Sequence, residues 1–153
     1  MRRLATAVAL LLLVAPLWIA SRPARAQSEV KRETVEELVK ALAEAYTSKS
    51  LGGLDAGRPR QARVSVVVEH SITGRREARS FRSLEAAERW LKSREREDGP
   101  ARQVMPLKRC RRGVCTYDFD GGILHNNLYL QKVAYGLRGG RPYVKTIYLL
   151  DGD

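Results

Sequence analysis

The stretch Arg63-Val64-Ser65-Val66-Val67-Val68-Glu69-His70-Ser71-Ile72 decides the fold class of this chain. Val64, Val66, Val68, His70 and Ile72 alternate with Arg63, Ser65, Glu69 and Ser71, and only Val67 breaks the pattern. A period of two belongs to a strand with one buried face. Upstream the period changes. Over Ser28–Thr47, residues Val30, Val35, Leu38, Val39, Leu42 and Tyr46 share one helical stripe, with Lys31, Glu33, Glu36, Glu37, Lys40 and Glu44 elsewhere. Ser28 suits the N-cap of that helix. Between the two patterns, Ser48–Arg60 carries Gly52-Gly53, Gly57 and Pro59 and reads as a connection with room for a short helical turn.

Downstream, Thr73-Gly74 reads as a turn and Arg75–Phe81 as a returning strand, a register that sets Glu77 across from His70. Ser83 then caps a helix that runs to about Glu97. Its apolar stripe is Leu84, Ala87, Trp90 and Leu91, and Asp98-Gly99-Pro100 ends it. Four strands follow as two hairpins, Arg102–Cys110 with Val114–Phe119 and Leu124–Leu137 with Pro142–Leu150. The second closes at Gly139-Gly140. With Arg138 paired to Arg141, the missing N–H of Pro142 falls outside the ladder. A bulge near Gln131-Lys132 would bring Leu124, Leu128 and Leu130 onto the same face as Val133, Tyr135 and Leu137, and bend the sheet. The expected class is α+β: a curved, mostly antiparallel sheet of about six strands packed against two or three helices, cone-like in shape.

This order of helix, two strands, helix and four strands resembles the nuclear transport factor two-like superfamily. The passage Ser80-Phe81-Arg82-Ser83-Leu84-Glu85-Ala86-Ala87-Glu88-Arg89-Trp90-Leu91 is similar to that fold's second strand and third helix. The resemblance covers most of residues 28–150 and rests on element order; Ser48–Gly57 departs from the family's second helix. It implies a cone of curved antiparallel sheet against helices. It also implies a superfamily with isomerases, dehydratases and cyclases that set a pocket Asp or His beside a Tyr donor. Cystatin-like folds, one helix on a meander, are the nearest competitor. Neither fold dictates a function.

The N-terminal residues read as an address. Met1-Arg2-Arg3 is basic, Leu4–Ala20 is apolar apart from Thr6 and Pro16, and Ala24-Arg25-Ala26 is a small-x-small triplet. Together they make a secretory signal peptide over residues 1–26, followed by a single domain over 27–153. The competing reading is an uncleaved anchor, for which this run is at the lower limit. No later segment is apolar enough to span a bilayer, so no membrane span is expected after cleavage, and the protein should be exported to the periplasm or beyond.

Composition narrows the functional classes. With 44% hydrophobic residues in a chain of 153, there is enough apolar material for a core, which excludes a disordered polyelectrolyte. Two cysteines and two histidines exclude a disulfide-dense miniprotein and leave no metal centre or cofactor to expect. The chain carries 28 basic and 17 acidic side chains. Loss of Arg2, Arg3, Arg22 and Arg25 with the leader would leave 24 basic side chains against the 17 acids, a net +7. That balance favours anionic partners. Nucleic acid is not expected outside the cytoplasm, and no arginine stripe interleaves with aromatics.

Cys110-Arg111-Arg112-Gly113-Val114-Cys115 holds the sharpest chemistry. A two-residue turn at Arg112-Gly113 pairs Cys110 with Cys115 in a non-hydrogen-bonded position, within disulfide range. The rival readings are a redox pair, which usually has C-x-x-C before a helix, and half a metal site. For catalysis the candidates are His70, facing inward as a base, and Glu77 as the carboxylate that orients it. The competing reading is a structural histidine. Binding candidates gather where the last hairpin opens: Asp118, Asp120, His125, Asn126, Asn127 and Tyr129. These polar groups either satisfy a turn or rim a ligand pocket. No Ser/His/Asp elbow, phosphate loop or metalloprotease motif occurs. The expectation is an exported, non-enzymatic binding or interaction protein for a small ligand or an envelope protein. The alternatives are an isomerase or dehydratase using His70, and a basic envelope protein docking on anionic polymers.

Overall fold

The computed structural model describes residues 24–95, 101–119 and 126–152, with side chains from residue 34 onward. Over these described residues it is an α+β structure: three helices against an open, mostly antiparallel, seven-stranded sheet. Helix α1 spans Ala24–Thr47, a 3-10 helix spans Leu51–Gly57, and α2 spans Leu84–Arg94. The strands are β1 (Val64–His70), β2 (Arg76–Phe81), β3 (Ala101–Val104), β4 (Leu107–Arg111), β5 (Val114–Tyr117), β6 (Asn127–Arg138) and β7 (Arg141–Asp151). They lie in the order β2-β1-β7-β6-β5-β4, with β3 beside the first half of β6. β1–β7 and β3–β6 are parallel and the other pairs antiparallel.

One face of this sheet is dry. The alternation over β1 buries Val64, Val66 and Val68 completely, and the register aligns Val66 with Ile147 of β7, which faces Val133 of β6 and then Cys115 of β5. Val35, Val39, Leu42 and Tyr46 of α1, Leu51 of the 3-10 helix, and Leu84, Ala87 and Leu91 of α2 close over that row as one cluster. Each such side chain contributes about 1.5–3 kcal/mol of burial. The neighbouring rows, with Val67, Tyr148, Lys132 and Thr116, point the other way and are half-buried.

Several boundaries differ from the expectation, each for a local reason. Helix α1 is already formed at Ala24, the first described residue, so Ser28 lies inside it and is not its cap; Ala24-Arg25-Ala26-Gln27 are all good helix formers. The expected cut after Ala26 falls within that helix. Helix α2 stops at Arg94, short of Glu97, where Glu95 turns extended. The expected strand Arg102–Cys110 is two strands, broken at Met105-Pro106, because proline has no N–H to donate to a ladder. β3 therefore joins β6, while β4 pairs with β5, which makes seven strands where about six were expected. The bulge in β6 falls where it was read, between Leu130 and Lys132, and keeps Leu128, Leu130 and Val133 in the core. A second irregularity follows at Ala134/Tyr135, and Leu137 ends exposed. Asp98-Gly99-Pro100 and Leu124 lie outside the described residues.

The start of α2 is held twice. Ser83 Oγ accepts the Ala86 N–H at 3.1 Å, as its cap position requires. Asp55 of the 3-10 helix accepts the N–H groups of Leu84 and Glu85 at 2.8 and 3.0 Å, and Arg58 donates to the same carboxylate at 2.9 Å. A carboxylate at a helix N-terminus also meets the positive end of the helix dipole.

Candidate functional site

The residues read as catalytic do not meet. The loop between β1 and β2 is Ser71–Gly74, and the His70 N–H donates to the carbonyl of Arg75. That shifts the register by two residues, so Glu77 lies across from Val68 and not from His70. Glu77 is taken by Arg94 and Arg79, the latter at 3.1 Å. These hydrogen bonds, Arg94's first, hold its carboxyl below the usual range. The carboxylate beside His70 is Asp151 of β7, with Oδ2 3.6 Å from Nδ1. That pair sits at a strand end, with both side chains about one-fifth exposed.

The polar end of β6 is knit into backbone structure. Asn126 adopts φ 61°, donates its N–H to Gly152 and accepts from Ala101. The Asn127 carbonyl accepts the Gly152 N–H, and its side-chain amide donates to the Tyr129 hydroxyl at 3.3 Å. Tyr129 is buried on the face away from the helices, with the Phe119 ring edge-on at 5.0 Å. Asp118 pairs with Lys108 at 2.8 Å on the exposed side of β5. His125 and Asp120 lie outside the described residues.

One cluster escaped the sequence reading. Arg102 of β3 is buried, its side chain 1% exposed. It donates both terminal nitrogens to Glu88 at 2.8 Å, its Nε to Glu95 at 2.7 Å, and Nη1 also to the carbonyl of Tyr46 at 3.1 Å. The guanidinium lies 5.2 Å from the centre of the Tyr46 ring, whose hydroxyl donates to Leu128. Lys49 completes the cluster through Glu95 at 2.6 Å. Burial works against the charge on Glu95, but the bonds from Lys49 and Arg102 outweigh it and lower its pKa. Burial likewise opposes Arg102, and Glu88 and Glu95 reverse the effect. Burial raises the Tyr46 hydroxyl, as it does that of Tyr117. All of Arg102's bonds go to the protein itself, which makes this a pin between α1, α2 and β3. Its signal was helical spacing: Leu84, Ala87, Glu88 and Leu91 are one face, and Glu88 is buried with it.

The open chemistry is at the other end of the sheet. Cys110 and Cys115 are cross-strand partners joined by a disulfide, with Cα atoms 4.0 Å apart. The turn between them places Arg112 at φ 50° and Gly113 at φ 81°, both in the left-handed region that a tight hairpin of this length uses. Since the cysteines face the core, the alternating Arg109 and Arg111 face outward. They are joined by Arg112, Val114 and Thr116 around an open groove of about 420 Å³. One strand further, the Tyr135 N–H donates to the carbonyl of Gly113, so this turn abuts β6. β6 continues through Gly136 and Leu137 to the turn at Gly139-Gly140, flanked by Arg138 and Arg141. All five arginines are exposed, and none makes an ion pair with a described acid. Charged side chains on an edge strand such as β4 also discourage pairing with another chain. That role does not need Arg138 and Arg141, which stand at the tip of an interior hairpin. Among the described residues no helix is long and apolar enough to cross a membrane.

Comparison of the chain with protein-family models, with curated proteins and with solved structures finds no match.

Proposed function

We propose that this is an exported, non-enzymatic docking protein that holds an anionic partner of the cell envelope on the arginine end of its sheet. The observation that carries the reading is the outward row Arg109, Arg111 and Arg112, stapled by the Cys110–Cys115 disulfide and unpaired with any described acid. A disulfide agrees with an oxidising compartment, and residues 1–26 have the pattern that leads there. Fixing the hairpin before contact reduces the ordering cost of binding. The likeness to the nuclear transport factor two-like superfamily is supported by an open sheet with its helices on one face. That likeness bears on the fold and leaves the function to the site.

The enzymatic alternative has less behind it. His70 does not have Glu77 as its carboxylate, and the Asp151 beside it lies at a strand end, not in an apolar cavity. The test is retention on an immobilised anionic polymer, such as a sulfated glycan, at rising salt. Binding that weakens steeply between about 0.05 and 0.5 M salt is expected, because screening acts on exposed charges. Salt-independent binding, or none at low salt, would reject the proposal.

A further inference from the structure

The arginine end also exposes apolar surface, and the two occur on the same hairpin. Leu137 is 47% exposed, one of three large hydrophobic residues left so open in the described chain. It pairs across the strands with Pro142, and the next pair outward is Arg138 with Arg141. The sequence Leu137-Arg138-Gly139-Gly140-Arg141-Pro142 thus presents an apolar pair directly behind two cations and a side-chain-free turn. Beside it, and set back by three positions along β6, from Arg138 to Tyr135, is the stapled turn with Arg111 and Arg112. A soluble polyanion needs the cations alone. A surface with phosphate groups above an acyl layer makes use of both features.

Resting on the docking function proposed above, we infer that the partner is an anionic lipid surface, met end-on. Arg138, Arg141, Arg111 and Arg112 contact lipid phosphates, and Leu137 with Pro142 dips to the level where the acyl chains begin. Binding is peripheral. Each arginine near an anionic surface adds about fivefold to the affinity. The glycines at the turn, with φ 56° and 79°, carry no side chain to hold the strand away from the surface.

Cosedimentation of the exported protein with vesicles tests this, using phosphatidylglycerol mixed with phosphatidylcholine, and phosphatidylcholine alone. Binding is expected to the anionic vesicles only. Leu137→Ser should reduce it by about tenfold and leave retention on a sulfated glycan unchanged. Arg138→Glu with Arg141→Glu should weaken both. As a measurement independent of that variant's stability, Leu137→Trp should show a blue-shifted emission that brominated lipid quenches. If Leu137→Ser binds vesicles as the parent does, or the emission of the Leu137→Trp variant is not quenched, the lipid inference is overturned and glycan retention alone still supports docking. Failure to bind either vesicles or glycan overturns both.

Discussion

Arg102 shows what a single residue does in this fold. Its guanidinium joins α2 through Glu88, the end of that helix through Glu95, and the last turn of α1 through the Tyr46 carbonyl. Replacing it with Met strips the buried Glu88 of its bidentate partner, with only Lys92 left at 3.9 Å, and leaves Glu95 with Lys49 alone. The expected cost is about 3–5 kcal/mol, read as a lower midpoint in urea. Changing Arg102 to Met and Glu88 to Leu together should recover much of that loss, which separates ion-pair loss from simple loss of volume. Acid should act through Glu95. Its folded pKa is depressed, so its contribution is present above the unfolded value of about 4.3 and lost as pH falls through the folded one. The groups that face it are Lys49 and Arg102, with Glu88 sharing the latter. Thermal melts should therefore fall more steeply below about pH 4 in the parent than in Glu95→Gln; equal slopes would place the acid sensitivity elsewhere. None of this was legible from an apolar stripe. Glu88 shares the buried spacing of Leu84 and Leu91, but an acid at such a position announces itself only once a cation distant in sequence is brought to it.

At the level of elements, local chemistry was readable and pairing across the chain was not. Glycines with positive φ mark both tight turns, and the alternation of Val64, Val66 and Val68 fixes which face of β1 is dry. The C-x4-C spacing gave the hairpin register that the disulfide now occupies. The β1–β2 loop was misplaced by two residues, since Ser71 and Ile72 continue the alternation although they belong to the loop; Ile72 is 72% exposed. Met105-Pro106 hid a strand break inside a run of acceptable strand residues. In the β4–β5 hairpin, closing so short a loop stabilises by about 2 kcal/mol. Its larger effect should be on order. Without reductant, an alkylating agent should label neither cysteine in the folded protein. Cys110→Ser with Cys115→Ser should leave a folded protein with a lower melting temperature. Amide exchange should rise at Val114 and Thr116 and much less in β7, where pairing to β1 and β6 is intact. Uniform exchange over the whole sheet would mean that the staple holds the fold and not only the hairpin.

For the whole molecule, the arrangement separates what makes the protein fold from what it would offer to the proposed partner. The core cluster gathers α1, α2 and the inner face of the sheet, and its buried charges are matched within the structure. The outward arginines belong to neither. Parallel pairing of β1 with β7 cannot be read from local sequence, since the two strands are more than 70 residues apart, yet that pairing puts β7 inside the sheet, and its register, which starts at Ser65 with Thr146, leaves the β6–β7 turn beyond the paired part of β1. Stability and binding should therefore move independently. Reversing Arg109, Arg111 and Arg112 to Glu exchanges one set of exposed like charges for another and leaves no buried acid unpaired. Such surface changes usually alter stability by no more than about 0.5 kcal/mol each, in either direction. Binding to an anionic polymer or vesicle should fall below detection, and the residual salt dependence should be lost with it. The converse variant, Leu42→Ala in α1, opens a cavity in a fully buried site and should cost about 2–5 kcal/mol. While still folded, it should bind as the parent does. Both are checked by a melting curve and a vesicle or glycan titration on the same preparation. If the arginine reversal unfolds the protein, the arginines serve the fold. If Leu42→Ala weakens binding well below its melting temperature, the binding surface extends into the helical layer.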